Sequence, residues 1–165
     1  MYKEKLSMKN KLIGILGGFM VGVLFTAIMV WTMAPSMMMI ESHSKLDFDS
    51  TVQAIQDNAA KHGWSVPGVM RLDKSLAKDG YKVLPAAVVS LCKPDLAATV
   101  LADDDARVVT SLMPCRVAVY QKSNGDVILS RMNTALMSKM FGGIVVNVMS
   151  EATAQTEQIF SPLEK

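Results

Sequence analysis

Cys92 and Cys115 carry the strongest nucleophiles and the softest metal ligands in this 165-residue sequence, because a thiolate outranks the other side chains present in both roles. They are the only two cysteines. Their separation is not that of a Cys-x-x-Cys redox pair, yet Cys92 stands directly before a predicted helix, whose N-terminus lends a thiol some thiolate character. Three kinds of chemistry stay open. The thiols are inert if they are buried as small apolar side chains. They can form a disulfide if their Cα atoms lie within about 7 Å, which would contribute about 3 kcal/mol by restricting the unfolded chain. Alternatively, with Met113 and Met132 as the methionines best placed in sequence, they build a thiol-active site or a soft-metal site, copper being the candidate metal.

The sequence holds 14 methionines, so other sulfur-based readings need weighing. Met37 to Met39, with His43 nearby, suit Cu(I) in an oxidising compartment, but they equally suit packing against lipid headgroups or over a groove. Asp103, Asp104 and Asp105 lack the alternating ligands, glutamate and glycine of a calcium loop and read as a solvated turn. His43 and His62 are the only histidines, and His62 falls where it would cap a helix and complement its dipole. Four regularly spaced N/S ligands for zinc are absent, as are a phosphate loop, a dinucleotide fingerprint and paired carboxylates. No catalytic residue is assigned.

The elements that position the cysteines follow from the hydrophobic period. A short strand is expected at LDFD from Leu46, then a helix capped by Asp49 or Ser50 and running to about His62, with Val52, Ile55 and Ala59 buried. Trp64 to Met70 reads as a strand returning beside the first, with Pro67-Gly68 marking an edge or bulge. After a turn or two of helix over Leu72–Lys78, YKVLPAAVVSLC reads as an interior strand ending at Cys92. Pro94 opens a helix to about Ala102. Cys115, Val117 and Val119 share one face of the next strand, and Arg116, Ala118 and Tyr120 the other. Ser123 to Asp126 turns into VILSRM. From Asn133 a long closing helix is expected, buried through Met137, Met140, Phe141, Ile144, Val145, Val148 and Ala152, with Gly142-Gly143 as a kink or a close approach to the sheet. The result is a two-layer α+β domain.

An apolar run from Leu12 to Trp31 precedes this domain and has the length of a membrane-crossing helix. Its core is too long for a signal peptide, and Thr32-Met33-Ala34 makes a poor cleavage site. Lys3, Lys5, Lys9 and Lys11 ahead of it place the N-terminus in the cytoplasm, so the domain is expected outside the cytoplasm on a single-pass anchor. The expected division is a basic tail over 1–11, the anchor over 12–31, a linker without period over 32–44, the domain over 45–160 and a tail over 161–165. The net charge of +2 comes from the lysine tail, leaving a nearly neutral domain without a nucleic-acid footprint.

The segments GWSVP at Gly63, LCKP at Leu91, the acidic turn, MPC at Met113 leading into RVAVY, NGDV at Asn124, and RMN with MSKMFGG from Arg131 resemble, in that order, the domain of unknown function 302 family. They are most similar to a membrane-anchored, cysteine-bearing subgroup and span about Leu46 to Phe160. The resemblance implies a strand, a helix, four strands and a helix, like the TATA-binding-protein fold, and it implies no activity. The expectation for function is a binding module for a soft metal, a sulfur species or a small ligand near Cys92 and Cys115. A thiol-disulfide redox protein and a domain that pairs with itself as a homodimer, or with another subunit, are the alternatives.

Overall fold

The computed structural model describes residues 2–165, with side chains from residue 13 onward except at position 35. It divides into two units, one up to Met37 and one from Met38 to Lys165. Helix α1 covers Tyr2–Met38. Within it, Ile13–Ala34 forms a 22-residue stretch of mean hydropathy 2.4, long and apolar enough to cross a bilayer as an anchor or a signal sequence. Thr26 and Thr32 return their hydroxyls to carbonyls one turn back, at Gly22 and Ile28, so these polar groups are satisfied inside the helix.

The second unit is α+β. Its chain order is β1 (Met39–His43), α2 (Phe48–Lys61), β2 (Ser65–Arg71), α3 (Leu72–Lys78), β3 (Ala86–Cys92), α4 (Pro94–Leu101), a 3₁₀ helix (Ala106–Leu112), β4 (Cys115–Gln121), β5 (Val127–Met132), α5 (Thr134–Ser138), α6 (Gly143–Phe160) and a closing 3₁₀ turn. The strands form one antiparallel sheet in the order β1-β5-β4-β3-β2. Val52, Ile55 and Ala59 of α2 and Ile159 and Phe160 of α6 pack on Ala87, Val89, Leu91, Val117, Val119 and Leu129 of the sheet. These sheet residues alternate along their strands, as a half-covered antiparallel sheet requires. A second cluster, Val100, Ala106, Val109 and Val145, joins α4 and the 3₁₀ helix to α6.

Several sequence expectations are corrected. Residues 39–43 of the expected linker are the edge strand β1, whose inward positions are only Ile40 and Ser42, too few to show a period. LDFD is not a strand. Asp47 caps α2, its carboxylate accepting from the Ser50 amide at 3.0 Å and from the Ser50 hydroxyl at 2.7 Å, so Phe48 already lies in the helix and is buried. These bonds to Ser50 hold the Asp47 carboxyl below its usual pKa. β2 does not return beside the first strand; it pairs with β3 at the far edge, with its register shifting between Ser65 and Gly68, while β5 lies next to β1. The closing helix is broken. Gly142 at φ 74° and Gly143 at φ 55° take conformations that disfavour side chains, and nothing lies within 4 Å of a Cβ built on either, so the pair serves backbone conformation rather than close approach. The break leaves Met140 76% exposed and Phe141 41% exposed, off the stripe they were expected to continue.

Candidate functional site

β3 ends at Cys92 because Pro94 cannot continue its ladder and instead begins α4 at a position where the missing N–H costs nothing. The chain then crosses the end of the sheet. Asp103 accepts from the Ala106 amide at 2.9 Å, and the 3₁₀ helix that follows leads through a cis Met113–Pro114 peptide into β4 at Cys115. The acidic turn therefore has a local structural role, reinforced by the exposed Asp104 to Arg107 pair at 2.8 Å.

Between this crossover, the end of the sheet and α6 lies a cavity of about 410 Å³. Leu96, Ala97 and Val100 of α4, Val109 and Leu112 of the 3₁₀ helix, and Val148, Met149 and Ala152 of α6 supply its apolar lining. Cys92, Met113, Cys115 and Met132, the four residues singled out from sequence, all line it. Two sulfur residues not assigned to the site from sequence, Met39 and Met149, line it as well. Met149 follows Val145 at helical spacing, a signal that was legible; Met39 became part of the site only through the pairing of β1 with β5, where it stands opposite Met132.

Cys92 and Cys115 are free thiols, both half-buried. Cys115 stands opposite Leu91, so Cys92 is one position out of register with it, and pleat alternation sends the two side chains to opposite faces of the sheet. That geometry opposes a bridge, which needs Cβ atoms about 4 Å apart. Burial pushes the Cys115 thiol above its ordinary pKa, and the neighbouring Cys92 adds to the rise. Cys115 is therefore protonated at neutral pH and poor as a nucleophile. Among the described residues, no group of three or more His, Cys, Asp and Glu side chains is placed to hold a metal ion. His43 is at the other end of β1, opposite Ile128, and 3.7 Å from Asp126. His62 caps α2 through its backbone amide.

The polar part of the lining is cationic. Lys93, Arg116 and Arg131 line the cavity, and no aspartate or glutamate does. Arg131 is committed elsewhere: it reaches Glu157 at 2.9 Å and Glu164 at 2.7 Å and lies over the Phe160 ring at 5.0 Å. Lys93 donates its Nζ to the Gly63 carbonyl at 3.3 Å and the His62 carbonyl at 3.4 Å. Trp64, 4% exposed, also lines the cavity and donates Nε1 to Gln155 at 3.2 Å. The sequence marks it only as the start of a strand, because a helical or alternating period does not show what its indole faces.

A family model for the domain of unknown function DUF302 matches residues 40–163, from within β1 to the closing 3₁₀ turn. The chain belongs to the DUF302 family. The structure is similar to a crystal structure of an uncharacterized conserved protein DUF302 from Bacillus stearothermophilus, with a TM-score of 0.69 and 17% sequence identity. That match covers 78% of this chain and 99% of the other, and at this identity it speaks for the DUF302 fold alone. Comparison with curated proteins finds none that matches.

Proposed function

We propose that this DUF302 domain is a binding module, held outside the cytoplasm by α1, that takes a small apolar ligand into the cavity at the Cys92 and Cys115 end of the sheet. One observation carries the reading: a mainly apolar cavity of about 410 Å³ gathers all four sequence candidates, and this volume falls in the range of small-ligand pockets. The protonated Cys115 thiol and the methionine side chains act in it as polarizable apolar surface. Trp64 provides the test, since Trp31 is the only other tryptophan. In the full chain in phosphatidylcholine nanodiscs, with Trp31→Phe, ω-bromododecanol should quench Trp64 with saturation. Ala97→Phe, which fills the cavity from α4, should abolish that saturable phase. Quenching that rises without saturation, or is unchanged by Ala97→Phe, overturns the reading.

A soft monovalent metal is a second reading, favoured by the six sulfur residues around the cavity. Cys92, Cys115, Met113 and Met132 are the ligands it would use. Cu(I) titration of the reduced full chain tests it, and an affinity unchanged by Cys92→Ser with Cys115→Ser would sink it.

A further inference from the structure

We propose that the cavity's occupant is a single-chain anionic amphiphile, with its chain among Leu96, Val100, Leu112 and Val148 and its charged head around the end of the sheet at Arg116, which lines the cavity from the face opposite α6. This rests on the apolar-ligand reading and adds the charge and form of the ligand. Three cations and no carboxylate line the cavity, and with the Arg131 charge answered by Glu157 and Glu164 behind the lining, Lys93 and Arg116 leave a positive balance that favours an anion. Two of the three cations are already engaged, Arg131 by Glu157 and Glu164, and Lys93 by two backbone carbonyls. Arg116 is exposed on β4, opposite Ser90, and among the described residues no acidic side chain pairs with it. Its planar fork matches a carboxylate in bidentate geometry. The volume lies near the small end of ligand cavities, which suits one acyl chain.

The tether supplies the source. A bilayer holding Ile13–Ala34 would supply single-chain amphiphiles to a domain tethered on the same chain.

The same Trp64 assay separates this inference from the reading beneath it. In the Trp31→Phe full chain in nanodiscs, ω-bromododecanoate is compared with ω-bromododecanol at about pH 8, where the carboxylate is ionised. The carboxylate should half-saturate quenching at a concentration about tenfold lower than the alcohol, equivalent to about 1.4 kcal/mol. Arg116→Gln should remove that preference and leave quenching by the alcohol unchanged. Equal half-saturation of the two probes in the unsubstituted site, or a preference that survives Arg116→Gln, overturns the anionic ligand while leaving the apolar site standing. Saturable quenching by neither probe overturns both.

Discussion

Arg131 is a buried cation held by two carboxylates, and its substitution tests how the sheet end beside the cavity is held. The residue projects from β5 into the helix-covered face, where it is 8% exposed. Its guanidinium makes bonds of 2.9, 3.0 and 3.1 Å to Glu157 and one of 2.7 Å to Glu164, and it stacks on Phe160. Arg131→Met keeps the packing volume but leaves two carboxylates without their cation. Breaking a buried pair costs about 3–5 kcal/mol. Glu157 is 41% exposed and can turn to water, whereas Glu164 is only 20% exposed, so the lower end of that range, about 3 kcal/mol, is expected. With a urea slope of about 2 kcal/mol per molar, the unfolding midpoint should fall by about 1.5 M. The assay is Trp64 fluorescence in urea on the Trp31→Phe full chain in nanodiscs. Adding Glu157→Gln and Glu164→Gln should restore most of the loss, because the damage lies in the stranded charges rather than in missing contacts. A single variant that shifts stability by less than about 0.5 kcal/mol, or a triple variant no better than the single, refutes the reasoning.

Three further outcomes follow from the same structure. Cys115 should react with a disulfide reagent along a pH profile whose midpoint lies above that of an ordinary thiol, because burial favours its protonated form; a midpoint below the ordinary value contradicts this burial. Tyr120 donates to Glu41 at 2.8 Å, and burial together with that carboxylate raises it to about 12, so phenolate absorbance should show one tyrosine titrating well above the ordinary value of about 10. Because its folded pKa exceeds its unfolded value, its contribution to stability is complete below about pH 10 and is lost as pH rises toward 12; in Glu41→Gln the late titration should move earlier. Gly142, at φ 74° and ψ −171°, occupies a region open essentially to glycine, so Gly142→Ala should cost about 1–3 kcal/mol in the urea assay, and no measurable loss would mean that the α5–α6 break does not depend on it.

The interior of the domain was legible because its signals are local and repeated. Val52, Ile55 and Ala59 recur at helical spacing, and Cys115, Val117 and Val119 alternate, so α2 and β4 carry their buried faces in their own sequence. β1 carries no such signal: two inward residues set no period, and its place depends on β5, nearly ninety residues later in the chain. The order of the strands was misread for the same reason, since adjacency in sequence suggested that β2 would join β1. At the site, the sulfur residues stood out by type, but Arg116 did not, because an exposed arginine on a strand is ordinary until the cavity beside it shows that no acid answers it. Met140 failed in the opposite direction, its helical spacing interrupted by two glycines whose positive φ a period count does not register.

The two kinds of side chain at the cavity constrain each other. Thiols in the company of cations ordinarily become thiolates, and a thiolate pair among methionines would be a site for a soft cation or for redox exchange. Here Cys115 is pushed the other way by burial, and the register places Cys92 on the opposite face. The sulfur therefore offers polarizable apolar contact, and the charge in the lining that no acid answers among the described residues lies on Lys93 and Arg116. An apolar body and an anionic end satisfy both features with a single molecule. A metal cation would satisfy the sulfurs but would have to bind beside Lys93 and Arg116 and displace a proton that burial favours on Cys115. On the proposed reading, the cations of the lining outweigh its sulfur in setting the charge of the ligand.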